Sequence, residues 1–131
     1  MHVIKSTRSV WYDCDNTLVF SLREYPHQIS NEIIKINDRK FWVHVPHVET
    51  IKDFKARGHT VVVWSAGGAE WAEMVVKALD LTDVVDLVIS KPDWFVDDKP
   101  SSMFMSESKR FYKGMNDGTS RDNAVPGKDV E

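Results

Sequence analysis

Residues Val10-Trp11-Tyr12-Asp13-Cys14-Asp15-Asn16-Thr17-Leu18 set two carboxylates two positions apart at the end of a short apolar run. Carboxylates held this close repel, so such a pair either neutralises a cation or divides into an acid and a base. If Val10 to Asp13 is a strand, both acids arrive at its carboxyl end, where open α/β sheets bind ligands. Side chains alternate along an ideal strand, so the chain must leave strand geometry just after Asp13 for the two acids to share a site. Asn16 suits that departure, because Asn adopts the left-handed conformation more readily than most residues. Three other apolar runs also end in polar groups. Ser65 follows Val61-Val62-Val63-Trp64, Lys91 follows Ile89-Ser90, and Asp97-Asp98 follow Trp94-Phe95-Val96. A nucleophile, a charge-neutralising group and a proton donor for a leaving oxygen are what phosphoryl transfer requires, and these residue types supply all three.

The elements that must position these groups can be read from the same chain. Arg8 to Asp13 is expected as a buried strand. Glu32 to Ile36 and Phe41 to Val45 are β-rich runs on either side of Asn37-Asp38, which predicts a hairpin. Pro46 permits a helix start, and Val48, Ile51 and Phe54 have helical spacing before the stop signal Gly58. Thr60 to Trp64 reads as a strand buried on both faces. Gly68 to Leu79 is amphipathic, with Trp71, Met74, Val75 and Leu79 on one side. Val84 to Ile89 and Trp94 to Val96 are expected as further central strands. This order predicts a Rossmann-like three-layer α/β/α fold with a mostly parallel sheet, right-handed crossovers and a short β-hairpin flap over about residues 20–45. In a parallel sheet Asp13, Ser65, Lys91 and Asp97-Asp98 share one edge. Residues 1–113 are expected as a single domain and 114–131 as a polar, flexible tail.

Bulk properties narrow the partners. The chain has 131 residues, 42% of them hydrophobic, with five Trp and a formal net charge of −3. It is long enough for one domain with a sizeable core. The charge gives no bulk electrostatic case for nucleic acid or membrane. One cysteine, Cys14, excludes an internal disulfide and suits a reducing compartment. There is neither a spanning apolar run nor a secretory signal, so the expectation is a cytoplasmic protein with no membrane partner.

The four motifs resemble those of the haloacid dehalogenase-like superfamily of phosphohydrolases, over roughly Val10 to Lys99: Asp13-x-Asp15-x-Thr17, then Ser65, Lys91 and Asp97-Asp98. The resemblance implies a phosphatase acting on phosphoric monoesters through an aspartyl-phosphate. Asp13 would be the nucleophile, and Asp15 would protonate the leaving group and then activate water. Thr17 would hydrogen-bond near Asp15 and steady it. Asn16 replaces a frequent family Gly. The implied cofactor is Mg²⁺, which prefers hard oxygen ligands and keeps several waters; Asp13, the backbone carbonyl of Asp15, and Asp98 would bind it, with Asp97 binding through water or orienting the site, or else taking the place of Asp98 as the direct ligand. Ser65 with the amides of Ala66 and Gly67 would hold phosphate at a helix start, Gly67-Gly68 letting the backbone come close. Lys91, with Lys99 as its rival, would add a point charge for the phosphate.

Each residue also has a bland reading. Asp13 and Asp15 can be turn residues, Ser65 a helix cap, Lys91 a solvated charge, and Cys14 a small buried side chain. His44, His47 and His59 lack metal-ligand spacing and read as surface or core-edge groups. The intervals from Asp15 to Ser65 (about fifty residues) and from Ser65 to Lys91 (about two dozen) are too short for a cap domain, so the resemblance is to a capless member. An open site favours a phosphoprotein, a nucleic-acid end, a nucleotide, or a small substrate enclosed by a second copy or a protein partner. Arg23, His27, Lys35, Arg39, Lys40 and Trp42 in the flap segment are candidates to touch phosphates or a base. The competing classes are a phospho-acceptor receiver-like domain and a non-catalytic phosphate-binding regulatory domain. Receivers carry their paired acids first and the phospho-acceptor later, whereas here Asp-x-Asp-x-Thr comes first. A dehalogenase would leave Asp15 without a duty.

Overall fold

Val61, Val62 and Val63 are at most 2% exposed, and they form the middle of the strand around which the fold is built. The computed structural model describes residues 1 and 3–100. The chain divides into two units, Met1–Lys91 and Pro92–Glu131. In the first unit the elements are β1 (Ser9–Tyr12), β2 (Val19–Ser21), β3 (Ile33–Ile36), β4 (Arg39–Val43), α1 (Val45–Ala56), β5 (Thr60–Ser65), α2 (Ala69–Ala78) and β6 (Leu87–Ser90). The architecture is α/β, with a parallel three-stranded sheet ordered β1-β5-β6 and two helices. Continuous β-branched sequence marks β5 as the central strand, as expected for a strand covered on both faces.

A second sheet, ordered β2-β4-β3 and antiparallel, occupies the stretch expected to hold a lone hairpin. Its β3–β4 turn is Asn37-Asp38, both with positive φ (49° and 62°). Such a pair closes a two-residue hairpin whose twist matches the strands. The turn pairs Ile36 with Arg39, so β4 begins at Arg39 and ends at Val43, two residues earlier than the sequence suggested. Strand β2 has only three residues, Val19-Phe20-Ser21, too few to carry a periodic signal. Ile36, Phe41 and Val43 from this sheet join Ile51, Val61, Val63, Val75 and Leu81 in one buried cluster.

Helix α1 begins at Val45, earlier than its apolar spacing implied. Pro46 in the first turn forfeits no helical bond. His44 Nδ1 accepts the His47 amide at 3.2 Å and so caps the helix. Val48, Ile51 and Phe54 form the buried face as read from sequence, joined by His47 and Thr50, and Thr50 Oγ1 meets the buried Tyr12 hydroxyl at 2.5 Å. The chain leaves the helix through Gly58, whose φ of +87° favours glycine. In α2, Ala72, Val75 and Val76 are buried. The following strand starts at Leu87, because the Val84 and Val85 amides are both taken by the Leu81 carbonyl at 3.0 Å in a turn. Among the described residues no helix is long and apolar enough to cross a membrane.

In the second unit, Pro92 to Pro100 contains no strand, so the fourth strand expected at Trp94 to Val96 is corrected. Flanking prolines donate no ladder bonds, and the unit's described residues offer no edge to pair with. Asp97 Oδ1 instead accepts the Lys99 amide at 3.0 Å, a local turn bond. The tail expected over 114–131 lies outside the described residues.

Two measurements test this packing. Ile51→Ala removes a fully buried side chain and should lower unfolding free energy by about 2–5 kcal/mol, read from the urea midpoint. Burial first, then the neighbouring His47 ring, lowers the His44 pKa to about 4, and burial lowers that of His47 too, against the Thr17 bond that raises it. The unfolded chain therefore takes up protons between pH 6.5 and 4 that the folded chain refuses. Melting temperature should fall as pH drops through that window and level off below it. His44→Asn, which keeps a capping acceptor, should remove His44's share of the slope.

Candidate active site at the sheet's carboxyl edge

Strand registers bring three of the sequence-predicted residues together. Tyr12 lies opposite Val63, so Asp13 leaves β1 beside the end of β5. Ser65 lies opposite Ser90, so Lys91 leaves β6 at the same edge. Lys91 Nζ is 3.3 Å from Asp13 Oδ1, and it lies 5.7 Å from the centre of the Trp64 ring. The Lys91 amide donates to the Ser65 carbonyl at 2.9 Å, fixing the residue where the strand ends.

The loop after β1 is wound around one carbonyl. Cys14 O accepts the amides of Thr17, Leu18 and Val19 at 3.2, 2.9 and 3.2 Å. Asn16 takes φ of +64° in this loop, the left-handed conformation expected of it. The winding turns Thr17 Oγ1 toward Asp13 Oδ2 (3.4 Å), not toward Asp15 as the sequence suggested. One oxygen of Asp13 thus faces an ammonium and the other a hydroxyl. From α1, His47 Nδ1 meets the Thr17 carbonyl at 2.8 Å, so the buried histidine holds the loop from behind. Nothing in the spacing of His47 announced this, because the contact is set by how α1 lies under the loop.

Asp15 projects into a different environment. Its Oδ2 accepts the Trp71 indole N–H at 3.2 Å. Partial desolvation raises its pKa; the Trp71 bond opposes, the Asp13 charge adds, Arg39 opposes and Glu24 adds, and the net direction is upward. Cys14 is fully buried, and desolvation, then the charges of Asp13 and Asp15, push its thiol up to about 12 against the pull of Lys91. It is a small packing residue, unreactive at neutral pH.

Ser65 is 1% exposed, and its hydroxyl accepts the Gly67 amide at 2.9 Å. It does not cap α2. That duty falls to Ser90 on the neighbouring strand, whose Oγ accepts the Ala69 amide at 2.8 Å. A Cβ on Gly67 would sit 3.3 Å from Ser65 Oγ and 3.6 Å from Trp71 Cδ1, while Gly68 needs its φ of +108°. Gly68 is therefore favoured by backbone, and Gly67 by space, where a side chain would have to displace the Ser65 hydroxyl by a few tenths of an ångström. Ala66 and Gly67 are exposed at the mouth of this turn. Trp71 and Ser90 were missed in the sequence: periodicity assigns Trp71 to the apolar stripe, and Ser90 pairs with α2 only through the sheet. Asp97, Asp98 and Lys99 belong to the second unit. Among the described residues no group of three or more His, Cys, Asp or Glu is arranged to hold a metal ion.

Trp71→Phe keeps the ring and deletes the N–H that stabilises the Asp15 carboxylate. The Asp15 pKa should rise further, and carboxyl-carbon NMR titration of the variant beside the native protein measures it.

Residues 9–109 match the family described as NLI interacting factor-like phosphatase. No curated protein and no solved structure matches the chain. The match covers most of the chain, including the Asp-x-Asp-x-Thr loop and all three strands of the parallel sheet. The chain belongs to the NLI interacting factor-like phosphatases, a haloacid dehalogenase-like family of hydrolases acting on phosphoric monoesters.

Proposed function

We propose that this chain is a capless, Mg²⁺-dependent phosphomonoesterase that works through an aspartyl-phosphate on Asp13. The observation that carries this reading is the pairing at the sheet edge: Asp13 sits 3.3 Å from Lys91, and two residues on stands a carboxyl with a raised pKa. Lys91 offsets the charge of Asp13 and offers an ammonium to the incoming phosphate, whose dianion would otherwise be repelled. An Asp13 oxygen forms a bond to phosphorus as the ester P–O bond breaks, and Asp15 in its acid form gives its proton to the departing oxygen. Asp15, now a carboxylate, takes a proton from water. That water attacks phosphorus and breaks its bond to Asp13, returning both carboxyl groups to their starting forms. The elevated pKa of Asp15 keeps more of it protonated for the first step than an ordinary Asp would be.

Thr17 fixes the rotamer of Asp13 through the 3.4 Å contact. The exposed turn at Ala66 and Gly67, braced by Ser65 accepting the Gly67 amide, forms the phosphate cradle. The Asp13 carboxylate and the Asp15 carbonyl are hard oxygen donors that fit Mg²⁺ in a site where water completes the shell. Bound there, the cation would supply neutralisation of the phosphate oxygens. Asp98, with Asp97 as its alternate, is assigned to the same ion on the resemblance of its motif alone. The antiparallel sheet β2-β4-β3 takes the part of the flap, and a phosphorylated substrate is the partner.

Hydrolysis of an aryl phosphate by the purified chain, with Mg²⁺ and with EDTA, tests the reading. Turnover should require the metal. Asp13→Asn should lose at least about a thousandfold in kcat while keeping its melting temperature. Turnover retained in Asp13→Asn would remove the nucleophile assignment.

A further inference from the structure

Apart from the sheet-edge residues, a cavity of about 260 Å³ opens on the antiparallel sheet, lined by Ser21, Leu22, Arg23, Arg39 and Lys40. Its two walls, the end of β2 and the start of β4, are tied by the Leu22 amide donating to the Lys40 carbonyl at 3.1 Å. Three of its five lining residues, Arg23, Arg39 and Lys40, carry cationic side chains. Among the described residues none of the three enters an ion pair; Lys35, nearby in sequence, is instead engaged with Asp38 at 3.6 Å. Like charges on neighbouring residues repel one another, and a bound anion offsets that repulsion.

Arg39 connects this cavity to the catalytic carboxyl. Its guanidinium lies 5.1 Å from the centre of the Phe41 ring and 6.0 Å from that of Trp71. Aromatic faces hold the guanidinium in place and lower the entropy lost when it binds. Trp71 in turn donates to Asp15, and the Arg39 charge acts on that same carboxyl. In the mechanism above Asp15 protonates the departing oxygen, so Arg39 links the cavity to the residue that faces the leaving group.

We propose that this cavity binds a second phosphate, carried by the leaving-group portion of the substrate. The inference rests on the phosphatase reading for its orientation, but the cavity and its three cations stand without it. Arg presents a planar fork that matches phosphate oxygens in pairs, and Lys adds a point charge. At about 260 Å³ the space is smaller than the roughly 300–1,000 Å³ of sites for whole drug-sized ligands. It suits one anionic group, with the rest of the substrate running across the open face toward Asp15. The second phosphate can be a terminal monoester in a small bisphosphate or the next phosphodiester in a nucleic-acid end.

The test is equilibrium binding by calorimetry to the full chain carrying Asp13→Asn, with Mg²⁺ present, so that ligand is not consumed. The probes are a nucleoside 3′-monophosphate, the matching 3′,5′-bisphosphate, and a dinucleotide ending in a 3′-phosphate. At least one of the two probes with a second phosphate should bind tenfold or more tighter than the monophosphate. That advantage should vanish when Arg23→Ala and Lys40→Ala are combined, with circular dichroism confirming that the fold is kept. A tighter mononucleotide bisphosphate assigns a terminal phosphate to the cavity, and a tighter dinucleotide assigns a phosphodiester. Equal affinity for all three probes, or an advantage that survives the double substitution, overturns the proposal. Aryl phosphate hydrolysis by the native chain separates the two readings: turnover without the affinity difference removes the cavity alone, and the affinity difference without turnover removes the phosphatase mechanism alone.

Discussion

The ladder on the two edges of β5 is the constraint on which the rest depends. It holds Tyr12 opposite Val63 on one side and Ser90 opposite Ser65 on the other. Asp13 and Lys91 are 78 positions apart in the chain, and this register alone brings a carboxylate and an ammonium to 3.3 Å. A slip of one residue in either pairing would turn every side chain of the shifted strand to the other face. The core guards against that slip. Val61 and Val63 are fully buried, and a shift would exchange them for neighbours shaped for the opposite face.

Around that ladder the site is held from several directions at once. The Cys14 carbonyl winds the loop, His47 pins its Thr17 carbonyl, Ser90 steadies the first turn of α2, and α2 delivers the Trp71 indole to Asp15. The two acids of the Asp-x-Asp-x-Thr motif consequently meet different surroundings. Asp13 lies between an ammonium and a hydroxyl. Asp15 sits against an indole and is partly desolvated, which favours its neutral form more than the indole bond opposes it. In the proposed mechanism, separating the environments of two nearby carboxyls lets one motif supply both a nucleophile and an acid.

The antiparallel sheet contributes to the same economy of parts. Phe41 is buried in the common core, while Arg39, two residues before it, stacks over the rings of Phe41 and Trp71. Residues two apart on a strand share a face, so Arg39 lies over the anchored Phe41 ring while Lys40 points the other way. Pro92 to Pro100, by contrast, carries an apolar triplet but no strand, and Asp97 closes a local turn on Lys99. A short apolar run specifies a strand only when an edge is available to it.

By itself the sequence determined the family motifs, the central β-branched strand, the two-residue turn at Asn37-Asp38 and the left-handed Asn16. Each of these is a local property: a run of residue types, or a backbone conformation that few side chains tolerate. It also located Asp13, Ser65 and Lys91 at strand ends, because a parallel sheet gathers such ends on one edge. Tertiary structure decided what those residues touch. Thr17 reaching Asp13 in place of Asp15, Trp71 holding Asp15, His47 bracing the loop, and Ser90 capping α2 all depend on how elements distant in sequence lie against each other. Periodicity records which face of an element is buried, but not which polar atom waits on the other side, and that is why the contacts of the site became legible only in the folded chain.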